Sequence, residues 1–320
     1  MKYGTVRGLD KPVSRLVLGT MIISSRDRDR SFALLDAAWE HGIRAFDTAV
    51  VYGGGASEEG LGMWLRERNL GKEAVVISKG CHPAGNRKRV TPEDLAADIE
   101  LSLNRLGLNC IDVYMLHRDD PSVPVGPIVE AFNEHLNAGR IKAFGGSNWT
   151  HARIREANDY AASRNLVPFA VSSPNFGLAE QVRDPWGPGC VSISGQSGAE
   201  AREWYRRENI AVFAYSSLGR GLFSGRITRD NYETAADQAC RTAYCHEVNF
   251  KRLDRARELA ARRGMSVAQI ALAYVLNQDF NVFALVGAAS REECAANEAA
   301  SELSLTRAEM EWLDLRRDTI

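Results

Sequence analysis

The 320-residue chain has no C-x-x-C pair, no H-x-H or H-x-x-x-H spacing, no long apolar run and almost no net charge. Each absence excludes something. Six cysteines (81, 110, 190, 240, 245 and 294) without close pairing, in a chain this long, read as reduced cytoplasmic thiols rather than a disulfide framework. Six histidines (41, 82, 117, 135, 151 and 246) without ligand spacing give no reason to expect a metal. Forty Lys+Arg against 41 Asp+Glu lack the basic face that a nucleic-acid partner requires. The longest apolar stretches, Ile270–Leu276 and Val282–Val286, fall far short of the roughly 20 residues that span a bilayer. Met1–Leu18 lacks the apolar core of a secretion signal. No membrane or nucleic-acid partner is therefore expected.

What remains is a globular composition, 45% hydrophobic and 25% charged, in a length that suits two domains or one α/β barrel. Eight short apolar runs alternate with helical patterns: Leu16–Leu18, Ala45–Phe46, Val75–Ile77, Ile111–Leu116, Ile141–Phe144, Phe169–Val171, Ala211–Ala214 and Val282–Val286. Thr91-Pro92-Glu93-Asp94 supplies an N-cap, a first-turn proline and two acids, and Gly107 closes that helix. Ser266–Gln269, Ser290–Glu293 and Thr306–Glu309 each read as a capping box. Eight buried strands in a β-then-α rhythm predict a (β/α)8 barrel, with Tyr3–Val6 and Val13–Leu16 as a hairpin across its floor. An open doubly wound sheet is the competitor. The first β-α turn, Leu18-Gly19-Thr20-Met21, has no G-x-G-x-x-G, which argues against it.

In such a barrel, chemistry projects from the C-terminal strand ends. Those ends carry Asp47 with Tyr52 five residues on, then Lys79, His117, Ser147-Asn148, Ser172-Ser173, Tyr215-Ser216-Ser217 and Gly287. Singly, each has an ordinary explanation: Asp47 caps a loop, Lys79 snorkels, His117 is a satisfied core histidine, Tyr52 packs in a glycine turn. Together they place an acid, a phenol, an ammonium and an imidazole at one mouth.

These blocks resemble the aldo-keto reductase family, in its order and nearly end to end. They are Leu18–Met21, Phe46–Gly53, Ile77–Lys79, Leu116–Pro121, Gly145–Trp149, Ala214–Gly225 and Gly287–Asn297. The resemblance implies one domain over 1–320. Active-site loops are expected near 118–127, 184–198 and 218–250, the second because it is the most Gly/Pro/Ser-rich stretch and follows strand six, with a plain surface loop as the alternative. The resemblance also implies a nicotinamide cofactor held in an extended pose and a catalytic tetrad of Asp47, Tyr52, Lys79 and His117. Carbonyl reduction needs a proton on oxygen, and a free phenol at pKa about 10 is a poor acid. An ammonium about 4 Å away, at an effective dielectric of about 20, is worth roughly 4 kcal/mol to the tyrosinate. Lys79 is therefore expected to depress the pKa of Tyr52, the general acid. Asp47 is expected to hold Lys79, and His117 to orient the substrate oxygen.

For the cofactor, the resemblance implies contacts from Gly19, Thr20, Met21 and Asp47. Ser147 and Asn148 would hold the carboxamide, with Ser172 standing where the family usually has Gln. Tyr215 would stack on the ring. Ser216, Ser217, Leu218, Gly219, Arg220 and Gly221 would wrap the pyrophosphate, and Gly287, Ala288, Ser290, Arg291, Glu293 and Asn297 would line the far end. NADP(H) is expected ahead of NAD(H), by family habit; the usual basic residue is missing, with Ala289 at its place and Arg291 nearby. Met21, Ile22, Trp149 and Trp186 are the expected pocket walls for a small carbonyl or alcohol substrate, sugar-like if the site is open. The chain stopping at Ile320, soon after Thr306, suggests such an open site or one completed by a neighbour in a homo-oligomer. Two competing readings remain: a Schiff-base lyase using Lys79, and a nucleotide-sensing subunit with little turnover.

Overall fold

The computed structural model describes all 320 residues. Eight parallel strands close into a barrel: β3 (Leu16–Gly19), β4 (Ala45–Asp47), β5 (Val75–Gly80), β6 (Ile111–Leu116), β7 (Ile141–Ser147), β8 (Val171–Ser173), β9 (Ala211–Ala214) and β10 (Val282–Val286), with β10 pairing back to β3. Before them, β1 (Tyr3–Gly4) and β2 (Val13–Ser14) form a short antiparallel hairpin. Beyond the hairpin strands, Val6 and Leu9 pack into the barrel's inner cluster and close its floor.

Alternation across each strand sorts the side chains. Val17, Ala45, Val75, Ile77, Val113, Met115, Val171, Phe213 and Phe283 fill the barrel interior. Leu18, Phe46, Val76, Tyr114, Leu116, Phe144, Val212, Ala284 and Val286 face the helices. A strand buried on both faces reads as a continuous apolar run, which is why all eight were visible in the sequence.

The helices are α1 (Arg28–Glu40), α2 (Ala56–Glu67), α3 (Pro92–Leu106), α4 (Gly126–Asn137), α5 (His151–Ser163), α6 (Ala199–Glu208), α7 (Tyr232–Ala235), α8 (Gln238–Ala243), α9 (Glu247–Arg263), α10 (Val267–Leu276), α11 (Arg291–Glu302) and α12 (Arg307–Leu313). None is long and apolar enough to cross a membrane. Thr91 caps α3 by accepting from the Asp94 amide, Gly107 ends it with φ +66, and α10 and α12 open with complete capping boxes.

Two local expectations need correction. At α11 Ser290 accepts from the Glu293 amide, but Glu293 reaches past it to the Ala289 amide (2.8 Å), so the box is not reciprocal. The run expected as Phe169–Val171 is a strand only from Val171, because the Asn158 side chain takes both the amide (2.8 Å) and the carbonyl (3.3 Å) of Phe169.

Candidate active site

Strand alternation fixes what stands at the mouth. If Val17, Ala45, Ile77, Met115, Ala143, Val171, Phe213 and Phe283 point inward, so do Gly19, Asp47, Lys79, His117, Ser147, Ser173, Tyr215 and Gly287. Tyr52 joins them from a 3-10 turn, Tyr52–Gly55, directly after β4. Gly53 and Gly54 take φ of +59 and +66 there, which folds the turn back over the barrel.

Lys79 Nζ donates to Asp47 Oδ1 at 2.7 Å and to the Thr48 carbonyl at 2.9 Å. Both charged side chains are buried, 3% and 2% exposed, so each depends on the other for its charge. The ammonium lies 5.2 Å from the centroid of the Tyr52 ring. The His117 ring meets that of Tyr52 edge-on at 5.8 Å. Burial alone would pull Lys79 down, but Asp47 and Tyr52 hold its pKa above the ordinary lysine value, and it stays an ammonium. Burial, with the Lys79 ammonium and the Arg118 guanidinium nearby, holds His117 well below the usual histidine range. Its imidazole is neutral at physiological pH.

Tyr52 departs from expectation. Its pKa lies above that of a free phenol, because burial outweighs the pull of Lys79 and Asp47 opposes that pull. The carboxylate offsets part of the ammonium's pull, and burial outweighs what remains. The phenol therefore rests fully protonated, as a general acid must, and the ammonium acts on the anion left after the proton has gone.

A model of the aldo/keto reductase family matches residues 15–315. The chain belongs to the aldo-keto reductase family. A glycerol dehydrogenase from Gluconobacter oxydans superposes with TM-score 0.79 at 28% identity, covering 98% of this chain and 94% of that one. An aldo-keto reductase from Klebsiella pneumoniae in complex with NADPH superposes with TM-score 0.72 at 25% identity, over 98% and 95%. The NADH-specific methylglyoxal reductase of Escherichia coli is 28% identical over 94% of this chain and 93% of its own length.

The mouth has room and loose ends suited to the family's nicotinamide. Gly19 and Gly287 occupy two of the eight inward positions, and a Cβ at Gly287 would meet nothing within 4 Å. Asp47 Oδ2, His117 Nδ1 and Arg220 Nε are buried without a partner. Tyr215 donates to Asn148 Oδ1 at 2.7 Å, which ties the expected stacking ring to the expected carboxamide clamp. Asn148 (φ +58), Ser216 (+53), Gly219 (+56), Arg220 (+51) and Gly221 (+94) take left-handed backbone, so the segment after β9 winds tightly around the rim. There Ser217 donates to the Ala214 and Leu285 carbonyls, and Leu218 is half-buried. Arg220 pairs with Asp237 at 2.6 Å.

Other assignments are corrected. The hydroxyl of Ser172 faces outward, 2.8 Å from Tyr205 on α6, since inward Val171 forces its neighbour to the helix side. Ser173 holds the inward place and donates to the Phe213 carbonyl. Trp149 is no pocket wall: it folds back outside the barrel onto Phe169, ring centroids 5.3 Å apart, over the missing side chain of Gly146. The Thr20 hydroxyl is consumed internally by the Asp47 carbonyl and Ser57. Arg291 is paired with Glu40 on α1, which neutralises the one cation of the β10–α11 turn. Ser290 and Glu293 are engaged in capping, Ala288 is buried, and Asn297 donates to the Gly287 carbonyl.

Met21 and Ile22 stand exposed, and Trp186 lies 6.1 Å from Tyr215. The 184–198 loop is tied down: Val191 N donates to Asn148 Oδ1, Ile193 N to the Asn175 carbonyl, and Ser192 to Asn175 Oδ1. Sequence reasoning missed His82, whose ring is 4.8 Å from that of His117. Its place three residues after Lys79, on the segment leaving β5, was the available signal.

Proposed function

We propose that the chain reduces aldehydes or ketones, reversibly, with NADP(H) ahead of NAD(H). The observation that carries this is the convergence of buried Asp47 and Lys79 with half-buried Tyr52 and His117 at the barrel mouth. Gly19 and Gly287 leave room for a dihydronicotinamide, which would supply the hydride. Tyr52 gives its proton to the substrate oxygen, and Lys79 stabilises the tyrosinate that remains. Asp47 keeps Lys79 charged and in place. Neutral His117 points its one N–H at the same oxygen and fixes the carbonyl's angle of approach. In the reverse direction the tyrosinate takes the proton of an alcohol.

Ser147, Asn148 and Tyr215 hold the ring in this reading, with the turn after β9 around the pyrophosphate. The 118–127, 184–198 and 218–250 segments wall the site within one catalytic domain, 1–320. The Klebsiella relative in complex with NADPH supports NADP(H), and the NADH-specific E. coli relative supports acceptance of NAD(H). Six free thiols support a cytoplasmic location. A lyase would need Lys79 as a free amine, which Asp47 opposes.

Following NADPH oxidation at 340 nm with an aldehyde panel tests the proposal. Tyr52→Phe should lose about two orders of magnitude or more in kcat, with NADPH binding by fluorescence kept. Wild-type turnover by that variant would refute the general-acid role. Tight NADPH binding without turnover by the wild-type protein would instead favour a nucleotide sensor.

A further inference from the structure

One charged side chain at the mouth is left unused by the reduction chemistry. Arg118 follows His117 at the end of β6, and its Nη1 donates to the Gly189 carbonyl (3.1 Å) and Cys190 Sγ (3.2 Å) of the 184–198 loop. Its charge is felt by groups on three sides of the mouth: Tyr52 after β4, His117 after β6 and Tyr215 after β9. A guanidinium seen from all three, and strapped to the loop that passes Asn148, overhangs the substrate entrance.

No carboxylate lies within ion-pairing distance of Arg118, and the acids nearby are already engaged. Asp119 faces Arg153 at 3.4 Å and Asp120 faces Lys88 at 2.7 Å. Asp47 is bound to Lys79. Asp184, near enough to raise the pKa of Tyr215, accepts from the Cys190 amide (3.3 Å) and Gln181 (3.2 Å) within its own loop. His82 has its Nδ1 engaged with the Pro83 carbonyl at 3.0 Å. Arg118 keeps Nε and Nη2 free of protein partners. That is half of a fork shaped for a carboxylate or phosphate.

We infer that Arg118 is a specificity residue, selecting carbonyl substrates that carry an oxyanion, carboxylate or phosphate, a few bonds from the reacting carbon. The inference rests on the carbonyl reduction proposed above and names its substrate class.

The test uses size-matched pairs with the full-length protein and NADPH: butanal against 4-oxobutanoate, and glyceraldehyde against glyceraldehyde 3-phosphate. Wild type should favour the anionic member of at least one pair by about tenfold or more in kcat/KM. The gain should lie in KM, shrink with salt, and show by its pair whether carboxylate or phosphate is preferred. Arg118→Gln keeps an N–H for the Gly189 carbonyl but removes the charge, and should abolish the preference. Arg118→Lys should restore part of it. Equal efficiencies within both pairs in wild type, or a preference unchanged in Arg118→Gln, would overturn the inference while leaving carbonyl reduction standing. Should no carbonyl be turned over, the proposed function falls, and calorimetry with butanedioate and inorganic phosphate decides the anion seat by itself. Binding of either to wild type and not to Arg118→Gln sustains the seat; equal or no binding of both refutes it.

Discussion

Asp47→Asn probes the centre of the site with almost no change in shape. At 2.7 Å from Lys79 Nζ, and with an effective dielectric of about 20, the lost attraction is roughly 6 kcal/mol before any relief of burial. Lys79 then sits 3% exposed with only neutral acceptors to favour its charge, the new amide oxygen, the Thr48 carbonyl and the Tyr52 phenol. Its pKa must fall. The tyrosinate formed during turnover loses a dependable cation, so kcat should drop by about two orders of magnitude. The alkaline limb of kcat/KM should move to lower pH, since the ammonium disappears as pH rises through its lowered pKa. Breaking a buried pair from one side should also cost about 3 kcal/mol of stability. In the wild type that contribution needs Asp47 ionised, which burial shifts to higher pH than for a free aspartate, and on the alkaline side it vanishes as pH climbs past the raised lysine pKa. Steady-state rates from pH 5 to 10, with denaturant melts at pH 7, measure all three. A variant with wild-type kcat and an unmoved alkaline limb would show that Lys79 needs no counter-ion, and the reasoning would fail.

Ser172→Ala should cost about 1–2 kcal/mol in urea melts by stranding the Tyr205 hydroxyl, yet leave NADPH affinity unchanged; weakened cofactor binding would return Ser172 to the clamp. Gly287→Val adds a side chain where the protein itself offers no obstacle. It should leave the melting temperature nearly constant while raising the Kd for NADPH several-fold. His117 is held neutral by burial and neighbouring cations, so its folded pKa lies below its unfolded one. Below about pH 6.5 the unfolded chain takes up a proton that the native site refuses, and stability should fall by up to about 1.4 kcal/mol per pH unit. His117→Gln should flatten that slope. Glu40→Gln frees Arg291 from its ion pair and should raise the NADP(H)-over-NAD(H) preference a few-fold in kcat/KM; no change would place Arg291 outside the phosphate's reach.

The barrel itself was readable in one dimension. Eight apolar runs, the glycine closing α3 and the capping residues of α3, α10 and α12 depend on neighbours within a few positions, so the linear order of residues determines them. The strand-end series Asp47, Lys79 and His117 was legible for the same reason, since a polar residue ending a buried strand has one mouth to face. Which of Ser172 and Ser173 turns inward was not. Alternation magnifies a one-residue difference into opposite faces, and only pairing with β7 and β9 sets that register. Nor could spacing show Trp149 folding over Gly146, or Glu40 cancelling Arg291 across 251 positions. The resting state of Tyr52 belongs with these. The strand-end series suggests an ammonium that acidifies a phenol. Only the closed barrel decides how much water is excluded and where Asp47 stands, and those two quantities reverse the sign of the shift.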